Sequence, residues 1–161
     1  MTHFLVLQVQ FARMKFKEGL RDLKAADAEK VLAPMNSISW TVGHLANFEQ
    51  FWMLFTGGQV LEEGLQKFGF GEMASVPPYP ETLAAFQRVV KEVDPILENL
   101  SEADLLEKPG SWHENRGTLL LRQSYHYWYH LGEVQAIRQL LGHENLPQFV
   151  SSYPDLYTWK G

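Results

Sequence analysis

The stretch RQSYHYWYHLGEVQAIRQLLGH, residues 122–143, reads as one amphipathic helix with two imidazoles on the face that should be apolar. Leu119, Gln123, His126, His130, Glu133, Ile137 and Leu140 recur at alternating spacings of four and three, so they fall on a single helical stripe. Thr118 is a suitable N-cap and Gly142 a suitable stop, which bounds the helix. A stripe of this period faces a protein core, and here it carries histidine where leucine is expected.

The same period recurs three more times along the chain. Leu5, Val9, Ala12, Phe16, Gly19 and Leu23 predict a first helix over residues 4–26. Ser37 and Ser39 offer caps for a second, whose Ile38, Thr41, Leu45, Phe48, Trp52 and Phe55 continue until Gly57-Gly58 stops the run. Residues 57–79 hold no sustained period and end in VPPYP, so a long loop with at most a short helical turn is expected. Pro80 suits the first position of a third helix running to Ser101, with Pro95 interrupting its stripe. Ser101 and Asp104 form a capping signal for a brief turn, and KPGSWHENRG is a polar loop before the last helix. No strand pattern and no internal repeat is visible, so the fold class is all-α: a four-helix bundle, taken as one domain over residues 1–161.

Composition narrows the chemistry. The 161 residues include no cysteine, which excludes disulfides, thiolate ligands and a cysteine nucleophile, so any thiol must come from outside the chain. A net charge of −5 with scattered Lys and Arg lacks the basic footprint that nucleic acid requires. No apolar run is long enough to span a membrane and no leader pattern opens the chain, so a cytoplasmic location without a membrane partner is expected.

The buried histidines need compensation. An unpartnered polar group in an apolar interior costs about 1–3 kcal/mol, and three on successive turns would consume much of the ~5–15 kcal/mol that holds a domain together. A divalent cation compensates them well, because side chains at i and i+4 have Cβ atoms about 5–6 Å apart and can converge on one ion. In SWTVGHLANFEQFW the second helix offers His44 on the stripe Thr41, His44, Phe48, Phe51 and Phe55, again among apolar residues. The pattern alone leaves other readings open: core histidines bonded to backbone carbonyls or to Glu49 and Glu133, or a His126/His130 pair facing water. His3, near the terminus, His113, in a polar loop, and His143, after the helix-ending glycine, are not expected to be ligands.

Trp40, Gly43, His44 and Leu45 spell Trp-x-x-Gly-His-Leu, and His126, His130, Gly132 and Glu133 spell His-x-x-x-His-x-Gly-Glu. Together with the closing AIRQLLGH these motifs resemble the DinB-like superfamily over residues 1 to about 143. The resemblance implies an up-up-down-down bundle with a divalent metal, nickel or zinc, held by His44, His126 and His130. It also implies a metal-dependent enzyme working with a low-molecular-weight thiol cofactor such as bacillithiol or mycothiol, of S-transferase or isomerase type.

Three histidine ligands leave coordination positions open, as catalytic sites do, so a small-molecule substrate or a hydrolytic water could bind there. Glu133, three residues after His130, is a candidate general base, an acceptor for an imidazole N–H, or an occasional ligand. Arg122 and Gln123, one turn before His126, are candidates to contact the thiol cofactor or a polar substrate; an exposed arginine is the plainer reading of the first. The aromatic residues crowded around these motifs fill core, and some could wall a pocket above the metal or form a homodimer surface. Two competing readings are a non-catalytic, stress-associated bundle in which the ion ties helices together and a bundle that binds haem through paired histidines.

Overall fold

The computed structural model describes residues 2–150, and every regular element among them is helical. Four long helices, α1 (Phe4–Gly19), α3 (Ile38–Phe55), α4 (Tyr79–Glu98) and α6 (Arg116–Leu140), form the bundle. Two short helices, α2 (Ala25–Ala28) and α5 (Glu102–Leu106), and a 3-10 helix (Glu63–Phe68) lie in the connections. The all-α bundle expected from the periodicity is therefore the fold. None of the described helices is long and apolar enough to cross a membrane.

The direction of the helices differs from the up-up-down-down order that the resemblance implied. On α1, Gln10 meets Glu98 of α4 while Phe16 meets Phe86, so these two run antiparallel. On α6, His130 lies near His44 whereas Arg116 grips the carbonyl of Phe55, so α3 and α6 are also antiparallel. Phe11 packs on Trp128 and the Gly19 carbonyl accepts from Arg138, which makes α1 and α6 parallel. The order is up-down-down-up. The connection from 56 to 78 makes it possible: a chain of that length can return to the end where α3 began and start α4 parallel to it.

Boundaries moved where tertiary contacts overrode local pattern. The first helix stops at Gly19 rather than continuing to residue 26, because Arg138 Nη1 donates to its final carbonyl at 2.5 Å and Leu131 packs where a side chain on residue 19 would stand. The chain then turns through Asp22 at a φ of 60°, before α2 begins. The last helix starts earlier than expected: its cap is Asn115, whose Oδ1 accepts from the backbone of Thr118 at 2.9 Å, so Thr118 is a helical residue and not the N-cap. At its far end Gly142 takes a φ of 78° and His143 N–H reaches the carbonyl of Arg138, a Schellman closure. Ser37 caps α3, and the Ser101–Asp104 capping box forms as the sequence suggests.

The core runs the length of the bundle, with Phe16, Phe86 and Tyr127 meeting where α1, α4 and α6 converge. Within it lies a charged group that periodicity did not reveal. Arg13 is held by Glu49 at 2.9 Å and by Asp94, and Glu49 also accepts from the Tyr127 hydroxyl at 2.5 Å. Of the expected α6 stripe, Leu119, Gln123, His130 and Ile137 are buried, His126 and Glu133 are partly so, and Leu140 is exposed where the helix leaves the core.

Candidate metal centre

α3 contributes one imidazole and α6 two. Because α3 and α6 cross antiparallel, His44 on the second turn of α3 lies opposite the middle of α6, where His126 and His130 stand one turn apart. The Nε2 atoms of all three turn toward one point: His126 Nε2 is 3.1 Å from that of His44 and 3.0 Å from that of His130. Among the described residues these three side chains are the group of His, Asp and Glu whose ligand atoms, all within 4.8 Å of one another, could hold a metal ion.

The outer nitrogens explain this orientation. His44 Nδ1 donates to the carbonyl of Phe68 at 2.6 Å, and a carbonyl can only accept, so the proton of the neutral ring sits on Nδ1 and Nε2 carries a lone pair. His130 Nδ1 is 2.6 Å from Glu133 Oε2, and a carboxylate fixes its tautomer in the same way. With two rings presenting lone pairs, the third can donate its Nε2 hydrogen to only one of them. The three nitrogens, at 3.0 and 3.1 Å, thus share at most one proton between two contacts and leave a lone pair unsatisfied, and a cation between them would supply what the rings lack. The same spacing leaves no room for a flat macrocycle between the rings, which disfavours the haem reading.

Aromatic rings bury two of the imidazoles, His44 and His126. Trp40 stacks on His44 with centroids 4.8 Å apart and planes 16° from parallel, and Phe48 packs against both His44 and His126. Burial is the main reason that the pKa of His44 falls from 6.5 to about 4, with the neighbouring His130 adding to it against the Phe68 hydrogen bond. His126 falls further, to about 3, through burial and the two other rings. Burial would raise the Glu133 carboxyl, but hydrogen bonds from His130 and Tyr129 outweigh it and hold the group below its ordinary value. A charged carboxylate therefore backs the centre at neutral pH.

The backbone acceptor arrives by close packing. Phe68 ends the 3-10 helix and lies so near Gly43 that a Cβ there would stand 2.6 Å from its ring. A glycine one residue before His44 is what lets that segment come close enough for its carbonyl to reach the imidazole.

Of the other residues singled out in the sequence, Gln123 is buried and Arg122 is largely exposed and paired with Glu114; both line a small cavity beside His126. Glu133 contacts the outer nitrogen of His130 and stands outside the three-nitrogen group. Glu49 bonds Arg13 and Tyr127 and no histidine. His3 caps α1, His143 lies 3.4 Å from Asp27, and His113 is exposed, so none joins the centre. Sequence reasoning missed the Phe68 carbonyl, for which a main-chain atom leaves no residue-type signal, and the Tyr129 hydrogen bond to Glu133. The Trp-x-x-Gly-His spacing held a usable trace of Trp40 and Gly43.

An all-helical bundle with three imidazoles converging between two of its helices defines a class: helical bundles whose interior carries a group of side chains that could hold a metal ion. The chain belongs to the DinB superfamily, whose family model matches residues 8–134 and so spans the bundle from α1 into the last turns of α6. No curated protein matches the chain.

Proposed function

We propose that this DinB-superfamily protein is an enzyme that binds one divalent ion, nickel or zinc, through the Nε2 atoms of His44, His126 and His130, and acts with a small thiol as S-transferase or isomerase, or as a hydrolase. The observation that carries the reading is the convergence of three inward-facing nitrogens, with the outer nitrogens of His44 and His130 already engaged by the Phe68 carbonyl and Glu133. Neutral imidazole suits both metals, and three protein ligands leave positions for an external molecule.

A bound divalent ion would lower the pKa of a thiol or water placed against it, supplying at neutral pH the nucleophile that a cysteine-free chain lacks. The chain's own residues do the rest. The Phe68 carbonyl and Glu133 lock two rings in the ligating tautomer, while Trp40 covers a face of His44 and Phe48 packs on His44 and His126. Glu133, partly exposed and ionised, accepts a proton from the His130 side or from a substrate group that reaches it. Arg122 and Gln123 border the approach beside His126.

Changing His126 to Ala should remove most bound metal, measured by elemental analysis after expression in metal-supplemented medium, with the far-ultraviolet helical signal largely kept. Stoichiometric metal in that variant would overturn the assignment. Titrating small thiols into nickel- or cobalt-loaded protein should produce a sulfur-to-metal charge-transfer band. One observation favours a non-catalytic alternative: α1 packs chiefly on α6 and α3 chiefly on α4, and the centre bridges these two pairs. A large chelator-induced drop in Tm with no thiol band would point to that role.

A further inference from the structure

The long helices differ in what they turn to solvent. On α4 the exposed residues include Glu81, Arg88, Lys91, Glu92 and Glu98, an ordinary solvated face. On α6 the one exposed charge is Arg122, which Glu114 already holds. The outer face of this helix is Leu121, Tyr125, Trp128, Gly132, Ala136 and Gln139, at spacings of four and three. Leu121 is 47% exposed, Tyr125 59% and Trp128 38%. A helix that is uncharged and largely apolar on its outer face as well as its inner one is suited to packing on both sides.

The face is also graded in size. Leu121, Tyr125 and Trp128 fill its N-terminal half, whereas Gly132 and Ala136, with Gln139 beyond, form its C-terminal half. No described atom lies within 4 Å of where a Cβ on Gly132 would stand, so the glycine leaves a hollow in the surface. Turning the helix over about a two-fold axis near residue 130 sets large against small. Trp128 then enters the hollow at the partner's Gly132, Tyr125 covers the partner's Ala136, and Leu121 lies along the partner's Gln139, each contact being made twice.

We propose that α6 pairs antiparallel with α6 of a second copy of this chain through this face. The pairing buries no unpartnered charge, since Arg122 lies at the edge and keeps Glu114. A membrane surface is a poorer match, because α6 offers no free cation to lipid phosphates and the chain carries a net charge of −5. Taking ~200 Å² for a whole aromatic side chain, the exposed parts of Tyr125, Trp128 and Tyr129, with Leu121 and the small residues between, come to about 500 Å² per copy. The pair thus buries ~1,000 Å², the lower bound for a specific interface, which makes a reversible dimer. His126 and His130 point inward toward His44, so the contact leaves the histidine centre intact and does not depend on it.

Sedimentation velocity of the full-length protein, from micromolar to near-millimolar concentration, should show a reversible shift from 18.5 kDa to twice that mass. Gly132→Gln fills the hollow with a better helix former, so it should weaken association tenfold or more while dilute protein melts no lower than the wild type. Tyr125→Lys should weaken association as much by placing an unpaired charge in the contact. The register is read by cross-linking, because the chain has no cysteine of its own. A short bis-maleimide should join copies of the double variant Leu121→Cys, Gln139→Cys, whereas in either single variant the two thiols stand about 27 Å apart along the pair and should not be joined. A monomer throughout that range, whether or not it sediments with lipid vesicles, overturns the proposal. So does a dimer that survives both substitutions, or one whose single-cysteine variants cross-link as readily as the double.

Discussion

His44 and His126 enter the fold as neutral rings, and the consequence is a pH dependence with a definite sign. In the unfolded chain both take up a proton near 6.5, whereas burial holds them neutral in the fold down to about 4 and about 3. Between 6.5 and those values the unfolded chain binds more protons, so the metal-free fold loses stability as pH falls through that window and is unaffected by these groups above it. Thermal melts in excess chelator from pH 7.5 to 4.5 should show the fall, with a shallower one in His126→Asn; parallel curves for the two proteins would refute the attribution. Glu133 acts on the same centre through His130. Glu133→Gln keeps an acceptor but removes the charge, and metal affinity, measured by competition with a chromophoric chelator, should drop about tenfold or more. An unchanged affinity would show that the 2.6 Å contact does not tune the ligand. The histidines themselves were legible because polar residues on an apolar stripe stand out. Their partners were less so: Glu133 lies on the same stripe and could be read, while the Phe68 carbonyl belongs to a segment whose path no local pattern encodes.

At the scale of elements, the 3-10 helix is the short helical turn that the sequence allowed within a long loop, and the structure makes it part of the centre. Its docking depends on Gly43. Placing alanine inside a helix normally gains up to about 1 kcal/mol over glycine, but here the new methyl would meet the Phe68 ring at 2.6 Å, closer than real Cβ atoms come to a neighbour. Overpacking of this kind costs about 1–3 kcal/mol, so the steric term wins and Gly43→Ala should lower the denaturant midpoint. Metal affinity should weaken as well, because a shifted Phe68 withdraws its carbonyl from His44 Nδ1. A variant as stable as the wild type with full metal affinity would mean that the 3-10 helix sits there without positioning anything. Helix existence was readable from the 3.6-residue period in all four long elements. Ends were not, since Gly19 is stopped by Arg138 and Leu131 from a helix more than a hundred residues away, and Asn115 outcompetes Thr118 by reaching the first free N–H groups of α6.

Across the whole molecule, the polar links that pass between the helix pairs α1/α6 and α3/α4 include the histidine centre and the buried Arg13–Glu49–Tyr127 group that continues to Asp94 on α4. The second was invisible to pattern reading because Arg and Glu are normally surface residues and nothing in a single sequence says which pair is buried. Arg13 and Glu49 are 3% and 0% exposed, so their charges stand by satisfying one another, with Asp94 and the Tyr127 hydroxyl completing the group. Within this group the Tyr127 hydroxyl is pushed well above its ordinary pKa by burial and by the adjacent carboxylate, and it is a donor to Glu49 at neutral pH. Removing one partner is therefore far worse than removing both. Arg13→Met should cost about 3–5 kcal/mol by leaving Glu49 a buried charge with only the tyrosine, while the double variant Arg13→Met, Glu49→Leu should recover much of that loss. Guanidinium unfolding at pH 7 measures both. The folded double variant should keep its metal, since neither residue contacts an imidazole of the centre; a double variant no more stable than the single, or one that loses its metal, would mean that the charged group specifies the packing of α3 against α6 that brings the three histidines together.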